Sequence, residues 1–194
     1  AAKRPLFYCG GGVINSGPGA SQLLTEFIRL TGFPCTLTLM GLGGFPASDS
    51  QFLGMVGMHG TYESNMAMHD CDVMINIGAR FDDRVTGLLS KFSPNSTKIH
   101  IDIDLSSINK NVRVDLGIVG DAGHVLEDML KIWKSTQAKV DADALKGWWK
   151  VIDGWRRRDC LRYRDDDEVI KPQYAIQRLY ELTRSEEHTS ELQS

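Results

Sequence analysis

Short apolar runs that end on glycine alternate with stretches of helical periodicity, and this alternation constrains the chain more than any other feature. Leu6-Phe7-Tyr8-Cys9 stops at Gly10-Gly11-Gly12, after which Leu23, Leu24, Phe27 and Ile28 recur at helical spacing. Gly32 and Pro34 end that helix, residues 35–39 alternate threonine with apolar side chains, and Gly41-Leu42-Gly43-Gly44 follows. Thr61 predicts the cap of a helix through Met68, and residues 72–77 predict a buried strand that ends at Gly78. Residues 98–104 alternate Ile99, Ile101 and Ile103 with polar neighbours, as a strand does. The run 116–119 reaches Gly120-Asp121, and Val125, Leu126, Met129, Leu130 and Trp133 then mark one helical face. Strand and helix in strict succession predict an α/β fold, a Rossmann-like parallel sheet with helices on both faces.

The 194 residues suffice for one domain with a real core. From residue 136 the pattern becomes polar, with Trp148, Trp149 and Trp155 in one cluster and the run Asp165-Asp166-Asp167-Glu168. The expected division is a binding domain over residues 1–135, a helix and linker over 136–171, and the start of a further domain over 172–183, where Ile176, Leu179, Tyr180 and Leu182 begin a new helical pattern. Residues 184–194, Arg-Ser-Glu-Glu-His-Thr-Ser-Glu-Leu-Gln-Ser, are what a common sequencing-library adapter encodes in frame, and they are expected to be foreign to the protein. A net charge of −3 argues against a nucleic-acid surface. No run approaches the roughly 18 apolar residues of a membrane span. Cys9, Cys35, Cys71 and Cys160 lie too far apart for a zinc or redox motif, and read as buried thiols of a reducing, cytoplasmic compartment.

In an open parallel sheet ligands bind outside the carboxyl ends of the strands, where loop glycines and helix amino termini converge. Every distinctive loop of this sequence lies at such an end: 10–12, 39–44, 78–84, 102–104 and 120–122. Together they favour a dinucleotide. Arg80 and Arg84 flank Phe81-Asp82-Asp83, either to clamp a pyrophosphate or to form a salt bridge within the loop. Asp102 or Asp104 can accept from a ribose or an adenine, while a turn cap explains Asp104 equally, as a helix cap explains Asp121. His59 sits among small neighbours, and no histidine has a partner at metal-ligand spacing. Met40, Met55, Met58, Met66, Met68 and Met74 read as core and pocket filler. No serine or cysteine has a partnered base, so the residues point to binding rather than to catalysis, with no catalytic group and no metal ligand.

Four segments then carry a resemblance: residues 41–45, 53–60, 78–87 (Gly-Ala-Arg-Phe-Asp-Asp-Arg-Val-Thr-Gly) and 99–104 are similar, in order and without gaps, to the large catalytic subunits of the acetolactate synthase family. The resemblance runs from about residue 3 to about residue 183. It implies the middle of three domains of a thiamine-diphosphate enzyme, holding an extended, structural FAD. On this sequence the flavin contacts it implies are Gly11, Gly12, Thr38, Leu39, Met58, His59, Gly78, Ala79, Arg80, Asp82, Arg84, Val85, Asp102, Ile103, Asp121 and Ala122. Some members carry glutamate where this chain has Asp102. Met58, Asp83 and Arg84 are implied to line the channel by which substrate reaches the thiazolium, where sulfonylurea-type inhibitors also lodge; Asp82 and Asp83, if extended, would point to opposite sides.

The resemblance further implies condensation of pyruvate with a second 2-ketoacid, to acetolactate or acetohydroxybutyrate, in branched-chain amino acid biosynthesis. It implies a homo-oligomer of catalytic subunits, a small regulatory subunit, and no nucleic-acid or membrane partner. The thiazolium-activating glutamate and the magnesium site for the diphosphate belong to the family's other two domains, and neither motif occurs in this sequence. The competing readings are the middle domain of another thiamine-diphosphate carboligase or oxidase, and a free-standing flavin or nucleotide module.

Overall fold

Strand β1 (Pro5–Cys9) is buried along its whole length, which is why its residues are continuously apolar rather than alternating. The computed structural model describes residues 2–165 and 168–183. Residues 184–194, expected to be foreign, and Asp166 and Asp167 of the acidic run lie outside the described residues.

β1 is followed by the short helix α1 (Gly11–Asn15) and by α2 (Pro18–Thr31), which starts on proline and stops at Gly32 in the left-handed region, φ 72°. Next come β2 (Cys35–Leu37), β3 (Phe52–Met55), α3 (Tyr62–Asp70) and β4 (Val73–Ile77). The one-turn helix α4 (Asp83–Thr86), β5 (Thr97–Asp102), β6 (Leu116–Val119), α5 (Ala122–Ser135) and α6 (Ala142–Arg156) complete the first unit. All strand pairs are parallel, in the order β3-β2-β1-β4-β5-β6. This is the dinucleotide-fold order, with its topological switch between β1 and β4.

One face of the sheet is apolar. Phe7, Cys9, Ile75, Ile77 and Ile101 meet Leu24, Phe27 and Ile28 of α2 and Leu126 and Leu130 of α5. The Phe27 ring stands edge-on to both Phe7, at 5.5 Å, and Trp133, at 5.7 Å. The other face carries Leu6 and Met74 under Met68 of α3 and Trp148 and Ile152 of α6. That face also bears a polar row, because the register aligns Tyr8 with Asn76 and Asn76 with His100.

Several boundaries differ from the sequence expectation. β2 ends at Leu37, since Thr38 turns the chain into a 3-10 helix (Leu39–Gly41) and its hydroxyl accepts from the Gly41 N–H at 3.1 Å. β3 was not anticipated. β5 stops at Asp102 rather than at residue 104: the Asp104 N–H folds back onto the Asp102 carboxylate at 2.9 Å, and Asp104 caps the next 3-10 turn (Leu105–Ser107). Thr61 caps α3 as expected, accepting from the Ser64 N–H.

The first compact unit extends through residue 160, past the boundary expected at 135, because α6 packs as part of it. Trp148 is buried and its indole N–H donates to the Pro5 carbonyl at 3.0 Å; Trp149 donates to Gly32 at 2.9 Å. The Arg156 guanidinium reaches the carbonyls of Ser50 and Phe52, at 2.7 and 2.9 Å. The second unit begins at residue 161 and contains α7 (Pro172–Thr183), whose Gln177 accepts from the Tyr163 hydroxyl at 2.9 Å.

Candidate functional site

The strand ends are sewn together one residue beyond the sheet. The Gly10 N–H donates to Ile77, that of Gly78 to Ile101, that of Thr38 to Cys9, and that of Gly120 to Asp102, all at 2.8 to 3.0 Å. With the backbone groups of the loop roots satisfied this way, the loops hold fixed positions around the switch point. Gly12 and Gly78 approach each other closely. The Gly12 N–H donates to the Gly78 carbonyl at 2.9 Å, and a Cβ on Gly12 would lie 2.6 Å from the Gly78 Cα. Gly78 itself sits at φ +60°, so glycine is required there on two grounds.

Above this crossing lies a cavity of about 840 Å³, within the size range of cofactor sites. It is lined by Gly11 and Gly12 from α1, and by Thr38 and Leu39 after β2. Met58 and His59 follow β3; Gly78, Ala79, Arg80, Asp82, Arg84 and Val85 follow β4. Asp102, Ile103, Asp121 and Ala122 close the far side. The structure thus brings all of the implied flavin contacts to one cavity.

Asp83 is the exception among the named residues. It is exposed and does not line the cavity, because the segment does not stay extended: Asp82 is the amino-terminal cap residue of α4, and Asp83 is already its first helical residue. The two-residue alternation expected for the pair therefore holds from Ala79 to Asp82 and then lapses. Met58 and Arg84 are joined by a backbone hydrogen bond of 3.1 Å from the Met58 N–H to the Arg84 carbonyl.

The walls carry charges of both signs. Arg80 and Arg84 stand after β4, with Arg80 largely exposed and 3.4 Å from the Asp82 carboxylate, the salt bridge within the loop. Carboxylates stand after β5 and β6. Asp121 caps α5, accepting from the N–H groups of Gly123 and His124, and takes a 2.6 Å hydrogen bond from Ser16. That hydroxyl, then the backbone donors, hold its carboxyl below the usual range. Asp104 is lowered likewise by the hydroxyl and N–H of Ser106, so both capping roles and cavity positions belong to these residues. Asp102 is buried to 8 % exposure, with one oxygen on the Asp104 N–H and the other 3.7 Å from His100 Nε2. Burial lowers the pKa of His100, and neither of its ring nitrogens has a hydrogen-bond partner.

Sequence reasoning missed several lining residues. Tyr8 was read only as strand, although burial pushes its phenol pKa up and leaves it a permanent donor. Ser16 carried no signal at all, since its partner Asp121 is far away in the chain. Of the methionines expected to fill core or pocket, Met40 and Met58 line the cavity, 75 % and 68 % exposed, and Met68 and Met74 are buried in the core. Among the described residues no three His, Cys, Asp or Glu side chains converge as a metal-binding group, and no helix is long and apolar enough to cross a membrane.

Residues 1–129 match the family model of the thiamine pyrophosphate enzyme, central domain. The acetolactate synthase isozyme 3 large subunit of Escherichia coli (strain K12) is 48% identical over 190 residues, which cover 98% of this chain and 33% of that protein. The acetolactate synthase large subunit of Haemophilus influenzae is 44% identical over 97% of this chain and 32% of its own length. Acetolactate synthase 1, chloroplastic, of Zea mays is 40% identical over 95% of the chain and 28% of its own. The chain spans about a third of the length of the curated relatives it matches. With a six-stranded parallel sheet in dinucleotide-fold order and a cavity at its switch point, the chain belongs to the thiamine pyrophosphate enzymes, as their central domain.

Proposed function

We propose that this domain holds FAD in the cavity at the switch point, as part of the catalytic subunit of an acetolactate synthase. The observation that carries the reading is the lining of one cavity at the switch point: Arg80, Asp82 and Arg84 after β4, Asp102, Asp104 and Asp121 after β5 and β6, and the Gly12–Gly78 crossing at the ends of β1 and β4. An extended dinucleotide needs that arrangement. Arg80 and Arg84 would hold the diphosphate, the Gly12 and Gly78 backbones would admit it at close range, and Asp102, Asp104 and Asp121 would accept from ribose or adenine donors. Apolar Leu39, Met40 and Val85 would cover a ring system. FAD here would be a structural group that shapes the active-site channel.

In the whole protein, thiamine diphosphate with magnesium would supply the carbanion chemistry, condensing pyruvate with a second 2-ketoacid to acetolactate or acetohydroxybutyrate. The groups that bind and activate it would lie in other parts of the polypeptide, in a homo-oligomer of catalytic subunits with a small regulatory subunit, in the cytoplasm. This chain would contribute Met58, Asp83 and Arg84 to the channel, with Asp83 facing it from outside the cavity.

Arg80→Ala in the whole protein tests the reading. One charge-assisted contact to phosphate is worth about 1.5 to 3 kcal/mol, so FAD affinity should fall roughly tenfold to hundredfold. Flavin retention equal to wild type on dilution would remove Arg80 from the site, and a wild-type protein that binds no FAD would sink the reading.

A further inference from the structure

Three consecutive backbone carbonyls of the loop after β4 each receive a hydrogen bond from a different side chain, one from the end of β4 itself and two from distant parts of the sequence. Asn76 Nδ2 donates to the Ala79 carbonyl at 2.6 Å, the Tyr8 hydroxyl to that of Arg80 at 3.2 Å, and Asn111 Nδ2 to that of Phe81 at 2.7 Å. Asn76 also accepts from the Ala79 N–H at 3.2 Å, and the Asp82 N–H turns back onto the Arg80 carbonyl at 2.9 Å. The Phe81 ring is buried between Tyr8, Phe92 and His100, with centroids 5.9, 5.7 and 5.1 Å away. Ala79 and Phe81 therefore point into the protein while Arg80 and Asp82 point out.

Nothing in the packing of the core demands this arrangement. A buried aromatic plug alone would anchor the loop; it would leave the rotation of the peptide planes on either side, and with it the direction of the Arg80 side chain, free. Donors on consecutive carbonyls remove that freedom, because each fixes the plane of one peptide group.

We infer that Tyr8, Asn76 and Asn111 are positioning residues that set the direction of Arg80 and Asp82 toward the bound ligand. Asn111 does not line the cavity, so any influence it has on the ligand passes through the loop. The inference rests on the cavity being a flavin site only for its ligand readout; the loop readout is independent of it.

Two variants of the whole protein test it. Tyr8→Phe keeps the ring against Phe81 and strips only the hydroxyl, and the Arg80 carbonyl retains the Asp82 N–H, so no buried acceptor is orphaned. Asn111→Ala removes the Phe81 donor. Without ligand, amide hydrogen exchange over residues 79–84 should quicken about tenfold in each, with the β1 and β4 amides unchanged. With FAD as probe, each should weaken affinity roughly threefold to tenfold, the scale of one neutral hydrogen bond. In an Arg80→Ala background that loss should shrink below about twofold, because these residues act through Arg80. Exchange that is unchanged, or that quickens across the whole sheet, overturns the inference, as does an equal loss of affinity in both backgrounds. A wild-type protein that binds no FAD refutes the flavin reading instead, and the exchange measurement still decides the positioning role.

Discussion

Replacing Gly12 by alanine adds one methyl group where two backbones already touch. The new Cβ would lie 2.6 Å from the Gly78 Cα and 3.1 Å from its carbonyl oxygen. Neither atom can rotate away, and Gly78 is pinned by its 2.8 Å hydrogen bond to Ile101. Relief requires the ends of β1 and β4 to separate or α1 to slide, a form of overpacking that costs about 1–3 kcal/mol. Because Gly12 lies in α1, alanine recovers up to about 1 kcal/mol of helix propensity, leaving a net loss of up to about 3 kcal/mol. For a chain of this size that lowers the melting temperature by up to roughly 12 °C. Gly147 supplies the control: it is exposed in α6, and a Cβ there would meet open space. Gly147→Ala should raise stability by about 0.5–1 kcal/mol. Thermal unfolding of both variants with and without FAD checks the reasoning. Gly12→Ala melting at or above wild type, or tracking Gly147→Ala, would show that the two backbones are not in contact.

Two further variants probe the charged walls. The Asp121 carboxyl is held below its ordinary value by Ser16, so it contributes stability at neutral pH that is lost as pH falls through its folded pKa. Asp121→Asn keeps a capping side chain and removes only the charge, so above about pH 4 it should unfold earlier in urea than wild type by the roughly 0.3–1 kcal/mol of a charge at a helix amino terminus, and the two curves should converge below it; a gap that persists at pH 2 refutes the assignment. His100 has the opposite dependence on its own charge: burial lowers its pKa, so the unfolded chain takes up the proton first and stability drains away as pH falls below the ordinary value of 6.5. His100→Phe, which keeps a ring against Phe81, should gain on wild type between pH 8 and pH 5, and parallel urea midpoints over that range would contradict it.

The alternation of apolar runs and helical faces was legible because the inner strands β1, β2 and β4 are buried on both sides and each crossover helix shows one face to the sheet. β3 escaped notice for a physical reason: Gly54 interrupts it at φ +96°, and only Leu53 of its four residues is fully buried, so no apolar run forms. The amphipathy of α6 was readable, but its docking was not, since Trp148 finds its partner at Pro5, on the far side of the sequence. The same limit applies at the site. Loop glycines announce themselves locally, and Asn76 lies only three residues from Ala79, whereas the donors to residues 80 and 81 come from positions 8 and 111, and no spacing rule connects them to the loop. Strand alternation ends at Asp82, where the chain turns into the first turn of α4, and the two-residue period could not show that Asp83 is already helical.

The contact of Gly12 with Gly78 has a consequence for how the domain comes into being. One partner belongs to the first crossover and the other to the loop after the fourth strand, with α2, β2, β3, α3 and β4 in between. No fragment of the chain can preassemble that floor; closing so long a loop costs entropy before any local contact repays it, and parallel pairing of this kind is slow. A ligand seated there recognises only the finished sheet and draws the folding equilibrium toward it by mass action, by about 2.7 kcal/mol at a hundred times its dissociation constant. Substitutions far from the cavity that weaken the sheet should then be masked when the cofactor is plentiful and exposed when it is scarce.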